Sequence, residues 1–245
     1  MRHNKINRGI LGFFALSLIL VLTLSGFASA ACDATTASIT NPSVGQFLKG
    51  VASTAWTVDG SDSSSCIFHL DYNQVGDPGW NNIASTSAGD TSYLWNVSSY
   101  PDNNNYQYRV RWTYLFERSN FVSPFTIDNT APTTGTVSIT PIYNNAGINY
   151  TRGLVPGFSV TAPITEAIGI ASCQYSLDNG STWNAGTVVG TDCTATGITA
   201  PDGNTIYVTA KATDTAGNNG IQGATTEIVA DSVGPTIGVV SVAQD

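Results

Sequence analysis

The sequence predicts an all-β protein of two tandem sandwich domains behind an N-terminal export signal. Its 245 residues suit one large or two small domains. Landmark motifs recur at an offset of about 100 residues, and the segments between them alternate apolar and polar residues with a period of two. No window after the first thirty residues keeps the 3.6-residue period of an amphipathic helix. Strands are therefore expected throughout both domains.

The first thirty residues have the features of a secretory signal peptide. Three basic residues precede an apolar run from Ile10 to Leu24, and a small-x-small cleavage site ends at Ala30. These fifteen residues are short for a bilayer span, which needs roughly 20. Cleavage after Ala30 is predicted, with retention as an N-terminal anchor as the alternative. Lipidation of Cys32 is disfavoured because Ser29 occupies a position that the lipidation motif gives to an aliphatic residue. We expect the rest of the chain to be secreted or to lie at the cell surface.

Charge and composition exclude several classes of function. The net charge is −8, and beyond residue 30 there are 6 basic residues against 17 acidic ones. No basic surface is therefore expected for nucleic acid or anionic lipid. There is no glycine-rich phosphate loop before a helix, which argues against nucleotide binding. Because His69 is the only histidine beyond the leader, multi-histidine metal sites are excluded and a Ser-His-Asp triad is disfavoured. No catalytic residues are predicted, so the protein is not expected to be an enzyme.

All four cysteines lie beyond the leader: Cys32, Cys66, Cys173 and Cys193. An even number in an oxidising compartment favours two disulfides. Four cysteines allow three pairings, and pairing within domains gives Cys32 with Cys66 and Cys173 with Cys193. Zinc is disfavoured because no C-x-x-C pair or histidine accompanies the cysteines.

The strongest signal is an internal repeat. Three landmarks occur twice in the same order: C-x-x-x-L-D, P-D-x-N and D-x-x-x-P-x-x-G-x-V-S. This repetition indicates a tandem duplication. The two copies of these landmarks start at Cys66 and Cys173, at Pro101 and Pro201, and at Asp128 and Asp231.

The repeat divides the chain into a signal peptide (1–30), a first domain (31–129), a second domain (130–234) and the start of a truncated third repeat (235–245). In this last segment, 238–242 match the opening strand of a repeat. The alternative is that this tail packs on the second domain or donates a strand to a neighbour.

Alternation assigns inner and outer faces to the predicted strands. The apolar face in the first copy contains Tyr106, Tyr108, Val110, Trp112 and Tyr114, and in the second copy Ile206, Val208, Ala210 and Ala212. Another such face contains Cys66, Phe68, Leu70 and Tyr72, with His69 and Asp71 opposite. Asn179-Gly180 after such a strand predicts a tight hairpin turn. Several short strands per hundred residues predict a two-sheet sandwich of immunoglobulin-like size.

Four stretches carry a resemblance to a known family. They are CQYSLDNGSTWNAG, TDTAGN (213–218) and the linkers FTIDNTAPT and VADSVGPT. They resemble the tandem immunoglobulin-like, or fibronectin-III-like, repeats of bacterial and archaeal cell-surface proteins, over nearly all of the exported chain. The resemblance implies stalks, adhesin modules or spacers beside catalytic domains. The first copy departs from the pattern, with TYLFERSN in place of TDTAGN.

Calcium is the one ion that the sequence favours. Carboxylates and loop carbonyls suit calcium, and the resemblance implies such sites at linkers. The candidates are Asp128, Asp231 and Asp214. The alternative is that these aspartates cap turns by bonding to their own backbone. No other cofactor is expected.

Aromatic residues are concentrated in the first repeat, with 15 in residues 32–128 and 6 in residues 133–231. A sugar-stacking platform would draw on Tyr93, Trp95 and Tyr100 beside the polar stretch NVSSYPDNNN, and core packing is the alternative. Three N-glycosylation sequons occur, at Asn96, Asn149 and Asn179.

These observations favour a non-catalytic secreted or cell-surface module with structural or adhesive function, acting as a spacer or stalk. Other surface proteins or glycans are the expected partners. The alternative is a carbohydrate-binding accessory module of a secreted hydrolase, carried by the aromatic-rich first repeat.

Overall fold

The structure, a computed structural model, describes residues 32–60, 63–154 and 156–234. These residues form nineteen strands and one 3-10 turn (Ser63–Ser65). None of them belongs to a helix that is long and apolar enough to cross a membrane. The predicted all-β fold class is confirmed. The predicted signal peptide (1–30) and the predicted third-repeat start (235–245) lie outside the described residues.

The first repeat forms two antiparallel-rich sheets that face each other. Its strands are β1 (Ala37–Asn41), β2 (Phe47–Leu48), β3 (Val51–Val58), β4 (His69–Gln74), β5 (Asn81–Ser85), β6 (Ser92–Asn96), β7 (Asn103–Tyr114) and β8 (Phe116–Ile127). One sheet has the order β1-β3-β6 and the other β2-β8-β7-β4-β5. Trp56 of β3 packs against Phe68, with 5.4 Å between ring centroids. Trp95 of β6 stacks on Tyr108 of β7 at 5.9 Å. The two sheets therefore enclose an aromatic core.

The second repeat also forms a two-sheet sandwich. Its strands are β9 (Thr133–Thr134), β10 (Ser138–Thr140), β11 (Tyr143–Asn145), β12 (Ile148–Thr151), β13 (Phe158–Thr165), β14 (Ile170–Ser176), β15 (Asn184–Ala185), β16 (Thr187–Val189), β17 (Asp192–Ile198), β18 (Thr205–Asp214) and β19 (Thr226–Ala230). One sheet has the order β10-β13-β17-β16, with β9 also on β13, and the other β11-β12-β19-β18-β14-β15. Aliphatic side chains from both sheets, such as Val160 of β13 and Val208 of β18, form one core cluster.

The strand order identifies both sandwiches as immunoglobulin-like. In an immunoglobulin-like sandwich, strands A, B and E share one sheet, and strands C, F and G share the other. The orders β1-β3-β6 and β10-β13-β17 correspond to A-B-E, and β8-β7-β4 and β19-β18-β14 correspond to G-F-C. The same order is thus built twice, as a duplicated sequence requires.

Contacts along the chain define two compact units. Among the described residues, the first comprises 32–43, 53–60, 63–95 and 107–123, and the second comprises 44–52, 96–106, 124–154 and 156–234. The domain limits 31–129 and 130–234, which the sequence repeat suggests, stay a prediction.

Period-two alternation predicts most of the burial correctly. Eight residues that alternation assigns to the inner faces of β7 and β18 are buried: Tyr106, Tyr108, Val110, Trp112, Ile206, Val208, Ala210 and Ala212. Asp71 differs, because it lies on the outer face of β4 yet is only 2% exposed. The side chains of Arg109 and Arg111 bond to its carboxylate. The predicted turn is present, since Asn179 and Gly180 have φ of 57° and 86°.

Two disulfides join Cys32 to Cys66 and Cys173 to Cys193. These are the two pairs that pairing within repeats gives. The second bond links β14 to β17, and therefore joins the two sheets of the second sandwich.

Candidate functional site: the Asp128 turn

The chain leaves β8 through a turn formed by residues 128–130, named here the Asp128 turn. The Asp128 amide donates to the Leu48 carbonyl (3.0 Å), and the Thr130 amide donates to Asp128 Oδ1 (3.3 Å). The Asn129 amide donates to Asp102 Oδ1 at 2.7 Å. Aspartate suits this role because its short side chain accepts hydrogen bonds from amides close by in the chain. The turn is therefore fixed by two carboxylates.

The side chain of Asn129 ties the same turn to two further segments. Its Oδ1 accepts a hydrogen bond from the Gly50 amide (2.9 Å), and its Nδ2 donates to the Val97 carbonyl (2.9 Å). One side chain thus satisfies backbone groups of two loops that are distant in sequence, which stabilises the turn from a second side.

The loop TDTAGN at 213–218, named here the Asn218 loop, supplies a third set of contacts. Asp214 Oδ1 accepts the Asn218 amide at 2.7 Å, and Gly217 has a φ of 80°, which favours glycine. This local structure presents the Asn218 side chain, whose Nδ2 donates to the Asp128 carbonyl (3.0 Å) and to Asp214 Oδ2 (2.9 Å). All these residues belong to the second unit.

The Asp128 carboxyl group lies in an unfavourable electrostatic environment. The residue is 0% exposed, and among the described residues its Oδ2 has no hydrogen-bond partner. Burial, the largest cause, and the nearby carboxylates of Asp214, Asp102 and Glu166 together raise the pKa of Asp128 to about 6. Such a group favours a proton or a cation over bare negative charge.

The structure brings together two of the three aspartates predicted to bind calcium. Asp128 and Asp214 lie close enough to repel each other, whereas Asp231 lies in a separate turn after β19. Within the described parts of the chain, no three or more His, Cys, Asp or Glu side chains are placed to hold a metal ion. Calcium binding by Asp128 and Asp214 stays a prediction.

The predicted sugar platform is wrong at Trp95. This side chain is 2% exposed and packs between Tyr72 (5.7 Å) and Tyr108 (5.9 Å) in the core of the first sandwich. The alternation of β6 carries it inward despite the polar residues that follow. Tyr100 is half-buried, and its ring lies edge-on to Tyr106 at 6.5 Å. Trp95 is therefore not available to stack on a sugar, and a sugar platform at Tyr93 and Tyr100 stays a prediction.

The three sequon asparagines, Asn96, Asn149 and Asn179, are all exposed. Exposure is necessary for glycan attachment, and glycosylation at these positions stays a prediction.

Sequence reasoning missed a charged cluster on the outer face of the first sandwich. Asp71 Oδ2 accepts hydrogen bonds from Arg109 Nη2 (2.8 Å) and Arg111 Nε (2.7 Å). Burial raises the pKa of Asp71, but the hydrogen bonds from Arg111 and Arg109 outweigh it and leave the pKa below its usual value. The Arg109 guanidinium lies over the ring of Trp80 at 4.4 Å. Arg109 and Arg111 alternate with the buried Tyr108, Val110 and Trp112 and so lie on the outer face of β7, but alternation does not indicate their shared partner.

The second repeat has a counterpart of this cation–aromatic pair. Lys211 Nζ of β18 lies 4.0 Å from the ring centroid of Trp183, which stands 103 residues after Trp80. A pair present in both repeats indicates a structural role in covering the outer face of the sheet.

His69, the single histidine beyond the leader, contacts a serine. Its Nδ1 lies 2.7 Å from Ser85 Oγ on the neighbouring strand. The nearest carboxylate in sequence, Asp71, is bonded by two arginines through Oδ2 and by Asn82 through Oδ1. Asp71 is thus committed to other partners and does not orient the His69 ring.

Comparison with known proteins gives matches to solved structures alone. No protein-family model and no curated protein matches the chain. The FN1–FN3 domains of chicken CNTN1 match with a TM-score of 0.45 at 10% identity, over 81% of this chain and 64% of that one. A tetra-tandem repeat from the extending region of a large adhesion protein matches with a TM-score of 0.36 at 13% identity, over 81% and 50%. A 1.5-MDa bacterial ice-binding adhesin matches with a TM-score of 0.36 at 15% identity, over 80% and 62%. The chain spans about half to two thirds of the length of these structures.

Proposed function

We propose that the chain is a non-catalytic structural or adhesive module of immunoglobulin-like repeats, which acts as a spacer or stalk outside the cell. The observation that carries this proposal is the Asp128 turn. A flexible connection between modules would leave its backbone groups to water. Here the turn is bonded by Asp102, by Asn129 with Gly50 and Val97, and by Asn218. Such bonding restricts backbone motion and supports a stiff spacer.

Location outside the cell is supported by the two disulfides. Disulfides persist in oxidising environments and are rare in the cytosol. Surface proteins or glycans are the partners that we propose for such a module.

Replacement of Asn218 by alanine tests the stiff-spacer proposal. The substitution removes the hydrogen bonds to the Asp128 carbonyl and to Asp214, which should cost about 1 kcal/mol of stability. We expect backbone NMR order parameters of residues 128–131 to fall from about 0.85 to below about 0.6.

Asn184→Ala is the matched control, because Asn184 is an exposed asparagine elsewhere in the second repeat. Its substitution should leave the order parameters of 128–131 unchanged. A turn that stayed equally ordered without the Asn218 side chain would contradict the proposal that this clamp stiffens the spacer.

A further inference from the structure

The chain makes a second turn after β19 that repeats the geometry of the first. This turn, residues 231–233, is named here the Asp231 turn. The Asp231 amide donates to the Thr151 carbonyl (2.8 Å), and the Val233 amide donates to Asp231 Oδ1 (3.3 Å). The Ser232 amide donates to Asp202 Oδ1 at 2.6 Å. Each bond corresponds to one in the Asp128 turn, at an offset of 100 or 103 residues.

The strand ends beside the two turns correspond as well. The Val97 amide donates to the Gly50 carbonyl at 2.7 Å, and the Ala200 amide donates to the Gly153 carbonyl at 2.8 Å. β2 runs parallel to β8 beside the first turn, as β12 runs parallel to β19 beside the second. The backbone surface that receives the Asn218 loop at the first turn is therefore built again at the second.

The two turns differ in what covers them. Asp128 is 0% exposed, and its carbonyl accepts a hydrogen bond from Asn218. Asp231 is exposed, and no side chain or amide of the described residues donates to its carbonyl. The Asp231 carbonyl is therefore a preformed acceptor that none of the described residues uses.

A concave surface of about 530 Å³ lies at the Asp231 turn, lined by Tyr143, Arg152, Leu154, Asp231, Ser232 and Val233. Leu154 and Val233 are 53% and 66% exposed, so apolar area is available for burial. Arg152 stands 103 residues after Lys49. In the first turn, Lys49 Nζ lies only 3.3 Å from the point where a Cβ on Gly217 would be. A cation therefore faces the acidic Asn218 loop there, and Arg152 offers the same charge at the second turn.

We propose that the Asp231 surface is a docking socket for a Thr-Asp-x-x-Gly-Asn loop carried by another immunoglobulin-like module joined beyond Gly234. The asparagine amide of that loop donates to the Asp231 carbonyl, as Asn218 donates to the Asp128 carbonyl. The partner has the loop of the second repeat type. The corresponding TYLFERSN stretch of the first repeat lacks both the aspartate and the glycine. This inference rests on the proposed spacer function and adds the kind of neighbour that the spacer receives.

A three-repeat chain tests the socket. In this chain, residues 132–234 are repeated directly after Gly234, which keeps the spacing of the first turn because Gly234 corresponds to Ala131. We expect order parameters of Val233 and Gly234 to rise from below about 0.6 in the parent chain to about 0.85 in the extended chain. Asn218→Ala in the added copy alone should abolish the rise, and Asn184→Ala in the added copy alone should leave it intact.

The parent Asp128 turn in the same sample separates the two proposals. If residues 128–131 are ordered but Val233 and Gly234 stay mobile in the extended chain, the socket is wrong and the stiff-spacer proposal stands. If residues 128–131 are mobile, the proposed function itself fails. An order parameter of Val233 that is already about 0.85 in the parent chain would also overturn the socket. An added copy that does not fold would overturn it as well, because the same residues fold after the Asp128 turn.

Discussion

Asp128 shows how a turn-forming residue acquires an unusual proton equilibrium. Its Oδ1 accepts the Thr130 amide, but its Oδ2 is buried beside other carboxylates. The pKa is near the usual 3.9 in the unfolded chain and about 6 in the folded one. Well below pH 4 the group is protonated in both states and has no effect on stability. As pH rises from about 4 to 6, the folded state holds its proton longer, so stability falls and stays lower above pH 6.

Asp128→Asn should remove this pH dependence. The amide keeps an acceptor for Thr130 and carries no charge, so the variant should be more stable than the parent at pH 8 by up to about 3 kcal/mol. The difference should shrink as pH falls towards 4. Urea unfolding between pH 4 and 8, in chelator, measures it. Parallel pH profiles of the two proteins would contradict this account of Asp128.

At the scale of the strand, Gly186 lies against the disulfide that joins β14 to β17. A Cβ at this position would lie 2.6 Å from Cys193 Sγ and 2.8 Å from Cys173 Sγ. Gly186→Ala should therefore destabilise the chain by about 1–3 kcal/mol through overpacking. Gly79→Ala is the control, because open space surrounds that glycine. Thermal unfolding compares the two variants. Equal midpoints would show that the disulfide can shift to accommodate the new methyl group without loss of stability.

Strands were largely predictable because burial on one face leaves a period of two in the sequence. Tyr108 and Val208 follow that rule. Trp95 follows the same rule, because it alternates with Tyr93 and Val97 and points inward, although the polar stretch after it suggested a surface platform. Asp71 escaped the rule because its burial comes from two arginines on another strand. Such pairings depend on sheet register, which local sequence does not contain.

At the scale of the molecule, duplication preserved the backbone while the interiors diverged. The first core is built on aromatic rings such as Trp56 and Trp112, and the second on smaller side chains such as Val160 and Ala210. The turns after β8 and β19 kept their hydrogen bonds nonetheless. The repeat predicted that Asp128 and Asp231 would be equivalent. It could not predict the contact between Asp128 and Asn218, because they are separated by 90 residues and that contact depends on the fold.

The thermal stability of the whole chain, with and without calcium, tests calcium binding at Asp128 and Asp214. A cation there would offset the repulsion between the two carboxylates, and a ligand at 100 times its Kd stabilises by about 2.7 kcal/mol. Calorimetry at pH 8 should therefore show a melting temperature higher in calcium than in chelator by roughly 5–10 °C, at 2–4 °C for each kcal/mol. The shift should shrink at pH 5, where a proton occupies Asp128, and should vanish in Asp128→Asn. A melting temperature that is the same in calcium and in chelator at pH 8 would contradict calcium binding at Asp128 and Asp214.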